Sequence, residues 1–370
     1  MNAAAFTYEA CINACTSQSE TPTWANISQQ FGAWLLPYLA LISQLPFGAR
    51  HRVDNLMSAV LTVGSPVLAG YSMILTVLNA RWISRRFESV SFPNAEDAVR
   101  ILISLQQTPL RITNEDSLLS SLVVLPENDN WWPTMAEFLN YTHTWSIASA
   151  TTIAWVIIAY LLTVASSLSD VNTNINANGQ GTGSVWLWLI PIVIGWLQLS
   201  PKCDYARVRR AMDNADTLAF VSTRDGIAKA SQLSERRAIF IDTTMEKPSS
   251  PDEDVTPPVC NYARAISWSR SAESVLDAFR MASKNAGAHI PVRMDGIWVN
   301  SDRRDIIEPC NRSGNPHEVD AYCQLPRYAV RSPWASGLFF RMFVASLLAL
   351  ALQWATTGAA VLVVWYTPTV

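Results

Sequence analysis

Five long stretches of the chain are apolar and contain no Asp, Glu, Lys, Arg or His. They are Phe31–Ala49, Leu56–Ala80, Thr144–Leu168, Ser184–Ser200 and Met342–Tyr366. A helix needs about 20 mostly apolar residues to cross a bilayer. A charge at mid-bilayer is costly, so uncharged runs of this length predict membrane spans. The pattern therefore predicts an all-α fold, a polytopic transmembrane helix bundle of about five spans with helical extramembrane segments. A polar N-terminal segment covers 1–30, and spans 31–49 and 56–80 form a first hairpin. An amphipathic helical loop covers 81–143, and spans 144–168 and 184–200 form a second hairpin. A large helical region, 201–337, precedes the last span, 342–366.

Trp34, Trp82, Trp145, Trp186, Trp196, Trp334 and Trp365 fall near the expected span ends. An indole is apolar with one N–H donor, which suits the water–lipid boundary. The first span is short and holds Pro37 and Pro46, each lacking a backbone donor. A re-entrant segment is the alternative reading there. The first 30 residues contain no Lys or Arg and no apolar h-region, so insertion is expected to fall to the spans themselves.

Lys and Arg close to span ends favour the cytosol. Arg81, Arg85 and Arg86 follow span two; Lys202, Arg207, Arg209 and Arg210 follow span four; Arg327, Arg331 and Arg341 precede span five. The linker after span three has Asp170 and no basic residue. This places 81–143 and 201–337 in the cytosol and Asp170–Gly183 outside. Arg50 and Arg52 land on the opposite side and disagree with that arrangement. The sequons at Asn26, Asn140 and Asn311 would then go unused.

Within 81–143, Asn94 before Glu96 and Asp97 has the form of a helix N-cap followed by first-turn acids. Val99, Leu102, Ile103 and Gln106 follow at helical spacing, and a second short helix is expected over Ser117–Val124. Trp131 and Trp132 beside Pro133 suggest a cap lying on the membrane surface, with a small folded loop as the alternative. In the large region, Val208, Met212, Ala215 and Ala219 form one apolar stripe and Val275, Leu276, Phe279 and Ala282 another. Between them, 246–258 has four Pro and many acids and reads as a mobile linker. The expected result is a small helical domain or two docked helices.

Composition agrees with a membrane protein. The chain has 370 residues, 49% apolar and only 15% charged, where a soluble domain carries about a quarter charged residues. The formal net charge of -3 argues against a nucleic-acid partner. The six Cys form no C-x-x-C pair and are expected as free thiols, with Cys11–Cys15 and Cys310–Cys323 as the alternative pairings. His51, His143, His289 and His317 show no metal-ligand spacing. There is no G-x-S-x-G elbow, phosphate loop or kinase signature, so no cofactor and no catalytic residue is assigned. The expected spans offer only neutral polar groups, and Pro66 and Pro191 should kink two of them.

The stretches LPYLALISQLPFG, NLMSAVLTVGSPVLAGYSMILTVLNARW, SLLSSLVVLPENDNWW, YTHTWSIASATTIAWVIIAY, SVWLWLIPIVIGWLQLSPKCD and TTGAAVLVVWYTPTV resemble a group of uncharacterised multi-pass membrane proteins of filamentous fungi. The resemblance covers about half the chain and implies multi-pass topology. It brings no activity and no functional residues. Sequence is expected to continue past TPTV in such proteins, so this copy is read as truncated there. The expected role is non-catalytic: a scaffold, sensor or membrane organiser in the plasma membrane or an endomembrane, with the lipid bilayer as environment and protein partners meeting 201–337. The alternative is a transporter or channel for a neutral or lipid-like solute, with Thr62, Ser65, Pro66, Pro191 and Gln198 lining a cavity. A third reading, a lipid-modifying enzyme, requires His51, Asp54 and His143 to converge.

Overall fold

The computed structural model describes residues 24, 28, 31–45, 48–49, 52–140, 146–169, 186–199, 204–233, 237–241, 264–301, 307–324 and 337–366. The linker 246–258, the span-three to span-four loop, His51, His143, Cys11, Cys15, Cys203 and Cys260 lie outside these residues. Along the described chain the structure is mostly helical. A π turn (Phe31–Leu35) leads into α1 (Leu36–Ile42), followed by α2 (Arg52–Gly64), α3 (Pro66–Phe87) and α4 (Ala95–Ser104). Next come β1 (Arg111–Ile112), α5 (Leu118–Val124), α6 (Trp131–Leu139), α7 (Ile147–Ser169), α8 (Leu189–Leu199) and α9 (Tyr205–Asp216). The order then runs β2 (Phe220–Thr223), β3 (Gly226–Lys229), α10 (Ala230–Leu233), β4 (Ile239–Phe240), α11 (Ala265–Gly287), α12 (Pro316–Cys323) and α13 (Leu338–Tyr366). The chain divides into two units, Met1–Ser43 with Ser149–Ile190 and Ala355–Val370, and Gln44–Ala148 with Pro191–Trp354.

The apolar stretches take several forms. Among the described residues, Leu338–Gly358 of α13 is the one helix that is by itself long and apolar enough to cross a membrane. α2 and α3 pass that test only together, and they are bent by 107° at their junction. The expected span Leu56–Ala80 is thus two helices, broken at the Pro66 where a kink was expected. Pro66 is the physical reason: it lacks an N–H, and its ring clears the preceding turn only if Ser65 leaves the helical region. Ser65 does so, at φ -139° and ψ 83°, and its Oγ accepts from the Leu68 N–H as the N-cap of α3. α7 is helical over 23 residues, and α7 and α8 supply the shorter apolar helices Ile147–Leu162 and Leu189–Leu199. The helix in the first stretch, π turn included, is about 18 Å long, against roughly 30 Å of hydrocarbon.

In the first unit α1 buries Pro37, Tyr38 and Leu41. Ile153 and Val156 of α7 are buried, and Tyr160 meets Trp186 edge to face at 5.7 Å.

The second unit has a hydrophobic core drawn from two parts of the chain. Ile83 and Phe87 of α3 join Ala98, Ile101, Leu102, Leu119, Leu122, Val123, Trp131, Trp132 and Met135 on one side. Val208, Met212, Ala215, Val221, Trp268, Val275, Leu276, Phe279, Val319 and Tyr322 come from the other. Residues 83–139 and 208–323 therefore share one core, and two apolar helices separate them in sequence. The stripes expected on α9 and α11 are its inner faces.

Details of 81–143 depart from the sequence reading. All seven residues of α5 are buried, so it is a core helix and not a surface cap. Trp131 and Trp132 are also interior. Their indoles meet edge to face at 4.9 Å, and the Nε1–H groups find internal acceptors in Asp216 Oδ1 (3.3 Å) and Leu122 O (2.9 Å). An indole whose N–H is satisfied inside has no need of the interface. Asn94 sits at φ 65° and makes no side-chain cap; its Nδ2 donates to Asp129 instead. The buried face of α4 is Ala95, Ala98, Ile101 and Leu102.

Three polar devices tie the parts together. Arg312 donates to both carboxylate oxygens of Asp129 at 2.7 and 2.6 Å, gives its Nε–H to Val124 O at 2.8 Å, and lies over Phe92. Arg341 of α13 donates to Asn79 Oδ1 at 2.8 Å and to Ser269 Oγ, with its guanidinium 4.2 Å from the Trp82 ring centroid. It joins α13 to α3 and α11, beside an apolar contact of Leu75, Ala265 and Ala345. Gln106 and Gln107 donate to Thr76 on α3, and Arg264 donates to Gln107 O.

Candidate functional site

A cleft of about 750 Å³ opens where α9, the β2–β3 hairpin and β4 meet the start of α5. Its position follows from local chemistry. Asp204 caps α9 by accepting from the Arg207 N–H. The apolar stripe of α9 turns Val208, Met212 and Ala215 into the core. At the two-residue turn between β2 and β3, Gly226 has a φ of 125°, a conformation that L side chains rarely adopt. β4 pairs antiparallel with β1, Ile239 opposite Ile112 and Phe240 opposite Arg111. That pairing brings Arg237 back against α9.

The floor is apolar: Leu118, Leu122, Met212, Val221, Phe240 and Ile241. The wall and rim carry Glu115, Arg209, Asp213, Asp216, Lys229 and Arg237. Arg237 is gripped by two carboxylates one helical turn apart. Its Nη1–H donates to Asp213 Oδ1 at 2.7 Å, and its Nε lies 3.0 Å from Asp216 Oδ2. That second contact is an ion pair in distance only, because Asp216 Oδ2 makes no well-directed hydrogen bond. The Asp216 side chain is 18% exposed. Burial pushes its carboxyl up to about 6, with Arg237 and the Trp131 N–H holding it lower and Asp213 pushing it further up. Such a group is half protonated near pH 6.

Comparison with protein-family models, with curated proteins and with solved structures gives no match. The chemistry of the cleft is therefore read from its own residues. Among the described residues no three His, Cys, Asp or Glu side chains are grouped to hold a metal ion. The arrangement suits binding: apolar side chains beside three basic and three acidic ones.

The residues singled out from sequence fall elsewhere. Thr62 is buried and donates to Ser58 O at 2.7 Å. Ser65 and Pro66 form the break between α2 and α3. Pro191 and Gln198 are exposed on α8. Asp54 is in the first turn of α2. Asn311 is buried, its amide bridging the backbone N–H and C=O of Val299, which closes that sequon to a glycan. Cys310 and Cys323 are both free, the first exposed and the second in the core. None of the charged residues of the cleft was singled out for a role in it from sequence. Arg209 stood only in a basic cluster, and Asp213, Asp216 and Arg237 look like ordinary surface charges until β4 folds back.

Proposed function

We propose that this chain is an integral multi-pass membrane protein with a non-catalytic role as a scaffold, sensor or membrane organiser. The resemblance to multi-pass proteins of filamentous fungi belongs to the same proposal. The observation that carries it is the outward face of three helices. α2 exposes Val53, Leu56, Met57 and Val60; α7 exposes Trp155, Ile158, Leu161 and Leu162; α13 exposes Phe340, Phe343, Leu347 and Trp354. Apolar surface on this scale is unfavourable in water and is covered in a bilayer. The shared core of 83–139 and 208–323 supports the topology, since both parts must then lie on one face of the membrane. The lining of the cleft supports a binding role for that extramembrane part.

The test is extraction of membranes with alkaline carbonate, followed by cysteine accessibility in sealed vesicles. The protein is expected in the pellet, with residues placed in 81–140 and 204–324 labelled from the same side. Release into the supernatant as a compact monomer, or labelling of the two segments from opposite sides, would overturn the reading.

A further inference from the structure

The loop Ala288–Asn300 carries apolar side chains outward, far along the second unit from the helices proposed to enter lipid. We infer that this loop inserts into a second bilayer, a surface of zwitterionic lipid facing the membrane that holds the chain. The inference rests on the membrane reading above for its orientation.

Two ladders of contacts within the second unit set that orientation. α13 runs antiparallel to α3: Arg341 meets Asn79, Ala345 packs with Leu75, and Ala349 lies against Gly70. α11 runs parallel to α3. Ala265 packs with Leu75, Trp268 meets Trp82, Phe279 meets Phe87, and Ser283 Oγ accepts from the Ser91 N–H. Arg341 is the one charge in the sequence of α13 and marks where that helix leaves hydrocarbon. Beyond Ser269, which accepts from Arg341, α11 continues to Gly287, about 27 Å at 1.5 Å per residue. The chain's own bilayer is therefore out of the loop's reach.

The loop is braced from beneath and bare on its outer side. Val292 is buried against Gly314, and its N–H donates to Asn311 O at 2.9 Å. The Asn311 amide bridges the N–H and C=O of Val299. The Met294 N–H donates to Glu318 Oε1 at 3.0 Å, and the Tyr322 hydroxyl donates to Ile290 O at 3.0 Å. Trp298 packs on the core and meets the His289 ring. On that scaffold Met294 is 79% exposed and Ile297 87%, with Ile290 and Val299 about half exposed. Single exposed apolar residues are ordinary, but four on one braced loop mark a contact surface.

Area, shape and charge select the occupant. A stable protein interface takes about 800 Å² and about 20–30 residues from each partner. The loop offers four apolar side chains on a protruding tip, and two such tips meeting, as a second copy would require, cover little. Lipid needs no matching groove, because hydrocarbon chains mould to what enters them. Within 288–300 the charges are Arg293 and Asp295, which offset one another. Glu318 at the base and Lys284 on the last turn of α11 add one of each sign. A neutral apolar tip suits zwitterionic lipid and gains nothing from anionic headgroups.

The experiment uses the full chain in phosphatidylcholine nanodiscs, mixed with phosphatidylcholine liposomes that carry a diazirine lipid. After irradiation the liposomes are floated on a density gradient and adducts are mapped by mass spectrometry. Loaded nanodiscs are expected to float with the liposomes while empty ones do not, with adducts on Ile290, Met294 and Ile297. Met294→Ser/Ile297→Ser should lower the floated share by about tenfold or more, since both side chains lose their transfer into hydrocarbon. Both are exposed, so the core is kept, and Met294→Leu/Ile297→Leu should retain capture. High salt, phosphatidylserine in the liposomes and Arg293→Gln/Asp295→Asn should each leave capture unchanged.

No flotation, flotation that the Ser variant retains, or capture lost in high salt would sink the inference. Loaded nanodiscs that pair without liposomes, and lose that pairing in the Ser variant, would assign the loop to a second copy and overturn it too. A carbonate-resistant chain whose loop takes no label refutes this inference alone. A chain that carbonate releases but whose loop still takes the label refutes the membrane reading, and with it the facing arrangement.

Discussion

Arg312→Met tests whether the two sequence segments are held together by the buried pair with Asp129. Arg312 is 4% exposed and Asp129 40%. The substitution keeps the side chain long and apolar but removes the two donations to Asp129, the one to Val124 O and the longer one to Leu125 O. Breaking a buried pair from one side costs about 3–5 kcal/mol. Asp129 can rehydrate through its exposed part and keeps the donation from Asn94, which places the loss near the lower bound, about 3 kcal/mol. With a urea slope of about 2 kcal/mol/M, the midpoint should fall by about 1.5 M. The assay is urea-titrated proteolysis of the full chain. Arg237→Met is the internal comparison. Arg237 is also paired with carboxylates, but it is 40% exposed and Asp213 45%, so the cost should be about 1 kcal/mol or less. An Arg312→Met cost within about 0.5 kcal/mol of the parent, or equal costs for the two variants, would show that the Arg312–Asp129 pair does not hold the segments together.

Four further outcomes are expected. Asp216→Asn should stabilise the protein near pH 8, because a carboxyl raised from 3.8 to about 6 is costly to ionise in the fold; at 1.36 kcal/mol per unit the gain is at most about 3 kcal/mol. The folded state binds the extra proton between those values, so the gap between parent and variant should close as pH falls from about 6 towards 4, and a gap independent of pH would count against the account. Asn315→Ala removes the side chain that accepts from the Glu318 N–H in the capping box of α12 and should cost about 1 kcal/mol in the same proteolysis assay. Gly314→Ala places a methyl 2.7 Å from Val292 Cγ1 beside that cap and should cost about 1–3 kcal/mol, read as a shift of the urea midpoint. Maleimide should label exposed Cys310 and spare Cys323, whose thiol burial pushes far above its usual range; equal rates would contradict the packing of α12.

Much of the helical skeleton was legible along the chain. α5 falls at the expected Ser117–Val124, because an apolar run between Asp116 and Pro126 has no other register. The stripes of α9 and α11 were readable because amphipathic periodicity over several turns selects one inner face. Where the reading slipped, one pattern admitted two environments. Trp131 and Trp132 beside Pro133 fit a membrane interface as well as they fit a core, and only the partner atoms on Leu122 and Asp216 decide. Two of the strands were invisible for a simpler reason. β1 and β4 are two residues each, too short to express a period of two.

By itself, the order of residues determined the helical class, the uncharged apolar stretches and the inward stripes, since each depends on neighbours within one or two turns. The break at Pro66 was also local, being set by one missing N–H and a ring clash, although its 107° angle was not. Tertiary structure alone decided that 83–139 and 208–323 form one core, that Arg312 meets Asp129 across 183 positions, and that Arg237 folds back on Asp213 and Asp216 to wall a cleft. Contacts so far apart in sequence leave no periodic trace, because nothing in the spacing of one segment records the surface it will meet in another.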